Sequence, residues 1–213
     1  MINYLIFGII AYLLGSIPTA VWIGKAWHGI DVREHGSKNA GATNTFRVLG
    51  KKPGITVLFI DIIKGFLAVS MPIFFLMAGY FSSNSITKDE IIYFQIIASF
   101  SAVLGHVFPV FASFKGGKGV ATSLGVIIGI HPPAALLCLL LFLIIFVAFH
   151  YVSLGAICSS IAFPLTLFFV FEVKNSWLII FSVILGSLVI LAHRKNIGRL
   201  IKGEESKMKL FKK

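Results

Sequence analysis

Charge is what this sequence has least of. Of 213 residues, 13% are charged while 57% are hydrophobic, and the mean hydropathy is +0.94. Soluble domains carry about 25% charged residues, so a water-soluble globular class is excluded. Cysteine is scarce as well. Cys138 and Cys158 both fall inside apolar segments and read as soft packing residues rather than a disulfide or a metal pair. Residues 1–24 carry no charge, and no basic stretch precedes them. A cleavable leader would show one, so they read as a retained first span. Apolar runs of about 18 residues or more exclude a β-barrel, whose strands alternate with period two. The composition therefore predicts an all-α polytopic membrane protein, a single integral domain over residues 1–213 with a basic tail at 206–213.

Apolar spans run at 2–24, 54–79, 91–114, 134–150, 153–171 and 176–192. A shorter run, 119–131, ends at His131-Pro132-Pro133. As a helix it covers only about 20 Å, against a hydrocarbon core of about 30 Å. Net charge is +11, and the cations are clumped: Lys25 to Lys52, Lys115 with Lys118, and a tail from Arg194. The positive-inside rule places all three clumps in the cytoplasm. An even number of crossings must then separate Lys118 from the tail, so the short run is expected to cross. Seven crossings result, N-terminus outside and C-terminus cytoplasmic; five crossings with re-entrant segments is the alternative. The outer segments would be 81–90, 131–133 and 172–176. Within the membrane, Asp61 and Lys64 lie one turn apart and can pair. His106 can hydrogen-bond across helices, and Gly15-Ser16-Ile17-Pro18 should kink the first span.

Three polar clusters fall on the inner side. In "HGSKNAGATNTFRVLG", residues 35–50, Ser37, Asn39, Thr43, Asn44 and Arg47 are interleaved with glycine and alanine. Short hydrogen-bonding groups beside one guanidinium suit phosphate oxygens; an interfacial loop with helix caps at Ser37 or Thr43 is the other reading. "FKGGKGVATSLG", residues 114–125, sets Lys115, Gly116, Gly117, Lys118 and Gly119 at the edge of a segment free of Asp, Glu, Lys and Arg through Phe171. It lacks the G-x-x-x-x-G-K-[ST] pattern of an ATPase loop, which leaves a phosphate cradle or a flexible turn. In "HRKNIGRLIKGEE", residues 193–205, His193, Asn196 and Arg199 recur every three residues along one helix face. That helix binds either substrate or lipid headgroups.

Taken together, "GSKNAGATNTFRVLG", "GHVFPVFASFKGGKGVATSLG" and "HRKNIGRLIKGEE", with "GSIPTA", "DIIKG" and "YVSLGA", closely resemble the bacterial acyl-phosphate:glycerol-3-phosphate acyltransferase family over residues 12 to 205. The resemblance implies acyl transfer from acyl phosphate to the 1-hydroxyl of glycerol 3-phosphate, giving lysophosphatidic acid and phosphate. It further implies no cofactor or metal, no acyl-CoA, and an active site on the cytoplasmic face of the bacterial inner membrane. The pathway would be phospholipid synthesis at its first committed step. Membrane lipids and the enzyme supplying acyl phosphate are the implied partners; nucleic acid is not. Soluble-type acyltransferases carry H-x-x-x-x-D, and no histidine here has an aspartate five places on.

By the same resemblance, Ser37 and Arg47 are required for activity. Arg47 and Lys115 are expected to meet phosphate charge, with Lys118 secondary. Gly116, Gly117 and Gly119 would let backbone N–H groups close on an oxyanion. His193 and Asn196 would orient glycerol 3-phosphate, with Ser153 reaching in from the hinge at 150–153. The base is either His193 or a substrate phosphate. The three clusters are expected to meet in one inner-leaflet pocket. A transporter for phosphorylated solutes is the competing class, but no internal repeat or paired broken helices are visible. A lipid-binding scaffold leaves the first two clusters unexplained.

Overall fold

The computed structural model describes residues 2–79 and 87–208. The expected outer segment 81–90 falls largely outside the described residues, as do 209–213 of the basic tail. Every regular element among the described residues is helical. The chain divides into two compact units, Met1–Ile130 and His131–Lys213.

In the first unit, the expected kink is a full break. Helix α1 (Ile2–Gly15) stops before Pro18, and α2 (Thr19–His28) starts after it. Proline brings no N–H and breaks the ladder there. The freed Ile17 carbonyl accepts from Lys64 Nζ at 2.9 Å. Gly29 closes α2 in the left-handed conformation at φ 69°, which glycine adopts without steric cost. An amphipathic helix, α3 (Ala42–Leu49), leads through Gly50 into α4 (Lys51–Met77). Helix α5 (Lys88–Val107) opens on a Thr87/Glu90 capping box. It ends seven residues short of the apolar run 91–114, because Phe108 precedes a proline and leaves the helical region at φ −123°, ψ 65°.

The short run is a helix, α6 (Val120–Ile130), of 11 residues. Its closest packing is against α4. A Cβ on Gly65 would collide with the Thr122 carbonyl, and one on Gly125 with the Ile62 carbonyl. Close backbone approach through small residues is how helices associate in lipid, where apolar burial between helices has little driving force. Helices α1 and α5 pair in the same way, through Gly15 and Gly105.

In the second unit, His131 caps α7 (Pro132–Phe149): its Nδ1 accepts from Ala134 N–H at 3.2 Å. His150 turns the chain at φ 61° into α8 (Val152–Leu165), which runs on as a π-helical turn, Thr166–Val170. Asn175 caps α9 (Ser176–Ala192), and after a 61° bend at His193 comes α10 (Arg194–Ile201). Helix α7 leaves large apolar side chains bare, among them Ile144 at 66% and Val147 at 68% exposed. A soluble surface would not tolerate such a face; a bilayer requires it.

Among the described residues, five helical segments are long and apolar enough to cross a membrane, or six if α9 and α10 form one bent span. The 11-residue α6 is shorter than these.

Candidate active site

In the first unit, two loops lie side by side: residues 29–41 and the glycine turn at 109–119. Asp31 caps the short turn Val32–Glu34 and grips Arg33 twice, taking Nε on Oδ1 at 3.0 Å and Nη2 on Oδ2 at 2.7 Å. The guanidinium's remaining arm donates from Nη1 to the Ala112 carbonyl at 2.8 Å. Arg33 thereby fastens one loop to the other. Hydrogen bonding from Arg33 holds the Asp31 carboxyl at about 2, below its usual 3.8.

Asn44 organises the first cluster. Its Oδ1 accepts from Ser37 N–H at 2.8 Å and Ser37 Oγ at 3.0 Å. Its Nδ2 donates to the Val32 carbonyl at 2.7 Å and the His35 carbonyl at 3.1 Å. Asn44 is 1% exposed, and its two donors and two lone pairs are all committed. Asn44, expected as a substrate contact, is here the scaffold on which Ser37 stands. Ser37 itself is exposed, its proton directed at an amide oxygen rather than at a base. Arg47 is exposed on α3, one turn beyond Asn44; Asn39 and Thr43 are half-buried.

The glycine turn also differs from expectation. Gly116 N–H donates to the Val107 carbonyl at 3.2 Å and Gly117 N–H to the His106 carbonyl at 3.1 Å. These two amides fold the turn back onto α5 and do not form an open nest. The need for glycine is steric: a Cβ on Gly116 would collide with the His106 carbonyl, and one on Gly117 with the His106 ring. Gly119, at φ 79°, leads directly into the first turn of α6, where helical N–H groups are left for other acceptors. Lys115 stands exposed and Lys118 half-buried at this end.

Below the turn lies a buried polar group. Asp61 and Lys64 form the expected pair at 2.8 Å. Asp61 Oδ1 also accepts from Thr19 Oγ1 at 3.1 Å. His106 Nδ1 lies 3.1 Å from Thr122 Oγ1 and 3.7 Å from Asp61 Oδ1.

In the second unit, the expected substrate-binding residues Ser153 and Arg199 and the expected catalytic residue Asn196 converge on a carboxylate. Ser153 Oγ donates to Glu205 Oε1 at 2.7 Å, Asn196 Nδ2 to Oε1 at 2.6 Å, and Arg199 Nε to Oε2 at 2.7 Å. Gly203, left-handed at φ 71°, makes this possible by turning the chain back under α10. Burial pushes the Glu205 carboxyl up, but the bonds from Ser153, Asn196 and Arg199 outweigh it and leave it below its usual range. The tail continues along the hinge: Met208 N–H donates to the His150 carbonyl at 2.9 Å, and Lys207 Nζ stands 5.5 Å from the Tyr151 ring centre.

His193 is 3% exposed, with Nδ1 2.8 Å from the Val189 carbonyl. A carbonyl only accepts, so Nδ1 carries the proton and Nε2 is the basic nitrogen of the neutral ring. The sequence carries no signal that α9's own backbone, the Val189 carbonyl, orients this ring. Sequence reasoning missed Glu205, signalled only by an acidic residue two places after a glycine in a basic segment, and the Asp31–Arg33 clamp. Among the described residues, no group of three or more His, Cys, Asp or Glu side chains could hold a metal ion.

The family model described as glycerol-3-phosphate acyltransferase matches residues 5–203. The glycerol-3-phosphate acyltransferase of Fusobacterium nucleatum is 43% identical over 95% of this chain and 97% of its own length. That of Chlorobaculum tepidum is 40% identical over the whole of both chains. A crystal structure of PlsY (YgiH), an integral membrane glycerol 3-phosphate acyltransferase in its glycerol 3-phosphate form, aligns with a TM-score of 0.83 at 40% identity, covering 97% of this chain and 96% of that one. Its lysophosphatidic acid form aligns at 0.80 and 39% identity over 97% of this chain and 95% of that one. This chain belongs to the glycerol-3-phosphate acyltransferase family.

Proposed function

We propose that the chain transfers an acyl group from acyl phosphate to the 1-hydroxyl of glycerol 3-phosphate. The hydroxyl oxygen forms an ester bond to the acyl carbon, and the carbon–oxygen bond to phosphate breaks. Lysophosphatidic acid and inorganic phosphate leave. The observation that carries this reading is the Lys115 turn, an exposed cation on a backbone braced by its own hydrogen bonds and by Arg33. A mixed anhydride has a good leaving group, so positioning and charge stabilisation suffice and no covalent enzyme intermediate is needed. Lys115 and Arg47 meet phosphate charge, with Lys118 and the first turn of α6 beside Gly119 as further donors. Asn39 and Thr43 serve as neutral donors in the first cluster.

His193 Nε2 receives the hydroxyl proton, since Val189 holds the other ring nitrogen protonated. Arg199 orients glycerol 3-phosphate with the N–H donors that Glu205 leaves to it, Asn196 assists from the same helix face, and Ser153, whose one proton goes to Glu205, accepts from a substrate hydroxyl. Ser37 is a hydrogen-bonding group for substrate, its geometry owed to Asn44.

We further propose seven crossings, with the N-terminus outside and the active site on the cytoplasmic face of the inner membrane. The five or six long apolar helical segments and the seating of α6 on α4 support this count. Purified protein in detergent, supplied with glycerol 3-phosphate and either acyl phosphate or acyl-CoA, tests the donor. Lysophosphatidate should form with acyl phosphate alone.

A further inference from the structure

Lys115 owes its place to a turn with little to stiffen it, since Gly116, Gly117 and Gly119 sit within the next four residues. Glycine loses more freedom on ordering than any other residue, so something must hold this one. Two carbonyls do so directly, those of His106 and Val107 at the end of α5. The His106 ring then fills the space under Gly117, where a Cβ would strike Nε2. The ring is 6% exposed and fixed from the far side by Thr122 on α6 and Asp61 on α4. Asp61 is tied in turn to Thr19 on α2 and to Lys64, whose ammonium holds the Ile17 carbonyl at the α1–α2 break. A cleft of about 10 Å³, lined by Thr19, Asp61, Lys64 and His106 with Gly116 and Gly117, leaves room for no more than about one water. The underside of the turn is thus a packed polar floor on which four helices, α2, α4, α5 and α6, converge beside the α1–α2 break.

We propose that His106 is a positioning residue for the Lys115–Gly119 turn, set in place by Thr122 and Asp61. It touches no substrate. It transmits the fixed geometry of α4 and α6 to the cation that meets phosphate. Its importance for turnover rests on the proposed assignment of that turn to phosphate; its hold on the turn does not.

The test uses the full chain in detergent with His106→Ala and His106→Asn. Asparagine can still reach the Thr122 hydroxyl, and alanine cannot. Amide exchange followed by mass spectrometry reads the turn, and steady-state kinetics reads its consequence. In H106A, exchange at Gly116 and Gly117 should rise about tenfold or more while the rest of residues 1–130 keeps its protection. KM for glycerol 3-phosphate should rise about tenfold with kcat within about threefold. H106N should recover most of both. Gly117→Ala should cost less in the H106A background than alone, because the ring it strikes is gone.

Unchanged turn protection in H106A overturns the proposal. So does faster exchange spread across α1 to α6, which would make His106 a general brace of the fold. If H106A fails to fold, H106N decides: wild-type protection supports the proposal, and a loosened turn overturns it. Faster exchange confined to the turn with KM unchanged supports the positioning role and instead overturns the assignment of the turn to phosphate.

Discussion

Ser37 and Asn44 are joined twice. The Ser37 amide and hydroxyl both donate to the one Asn44 Oδ1, at 2.8 and 3.0 Å. The same amide group ties down the Val32 and His35 carbonyls. A single buried side chain thus sets the course of the whole loop from 32 to 37.

Asn44→Ala should therefore act on both fold and chemistry. It removes the side-chain donor from two carbonyls that keep only a backbone partner, and it frees Ser37, at a cost of about 2–3 kcal/mol. Thermal unfolding in detergent should show a lower midpoint, and turnover should fall even at temperatures where the variant stays folded. Ser37→Ala should lower turnover with little change in the midpoint.

Arg47→Ala should abolish turnover, and Gly117→Ala should mainly raise KM for glycerol 3-phosphate. Steady-state kinetics on purified variants checks both. A fully active Arg47→Ala enzyme would refute the assignment of phosphate charge to Arg47.

Glu205 gathers three donors, so Glu205→Ala should loosen Ser153, Asn196 and Arg199 together. Charge-assisted bonds of this kind contribute about 1.5–3 kcal/mol each to groups that stay paired. Glu205→Gln keeps the shape and part of the bonding, and should fall between wild type and alanine in both stability and kcat/KM.

Acid should loosen the 29–41 loop. Asp31 is held at about 2 in the folded chain, against the ordinary 3.8 of a free carboxyl. A lowered folded value contributes stability that is fully present above the unfolded value and lost as pH falls through the folded one. That contribution is lost between about pH 4 and pH 2. Glu205, also lowered, adds loss of the same sign below its ordinary range. Unfolding midpoints across this window should fall with pH, and Asp31→Asn should flatten the dependence.

Much of this fold was legible because hydrocarbon demands long apolar runs. The run 176–192 coincides with α9, and the run 134–150 lies within two residues of α7's bounds. Where one apolar run became two elements, a proline was responsible: Pro18 divides α1 from α2, and Pro109 cuts α5 short. The Asp61–Lys64 pair was legible from helical spacing alone. Asn44 was not, because composition cannot say which of several short polar residues faces inward and which faces substrate. The Gly116 and Gly117 amides misled for a related reason. A glycine turn looks open in sequence, and only its docking on α5 shows that those N–H groups are taken. Glu205 needed the reversal at Gly203, a tertiary fact.

The most direct measurement is product formation by purified wild type and Lys115→Met, each given acyl phosphate and glycerol 3-phosphate in detergent. Wild type should release lysophosphatidate and inorganic phosphate in equal amounts, and Lys115→Met should lose at least about a hundredfold in kcat/KM. Wild type that acylates glycerol 3-phosphate from acyl-CoA but not from acyl phosphate, or Lys115→Met with undiminished turnover, would contradict the account.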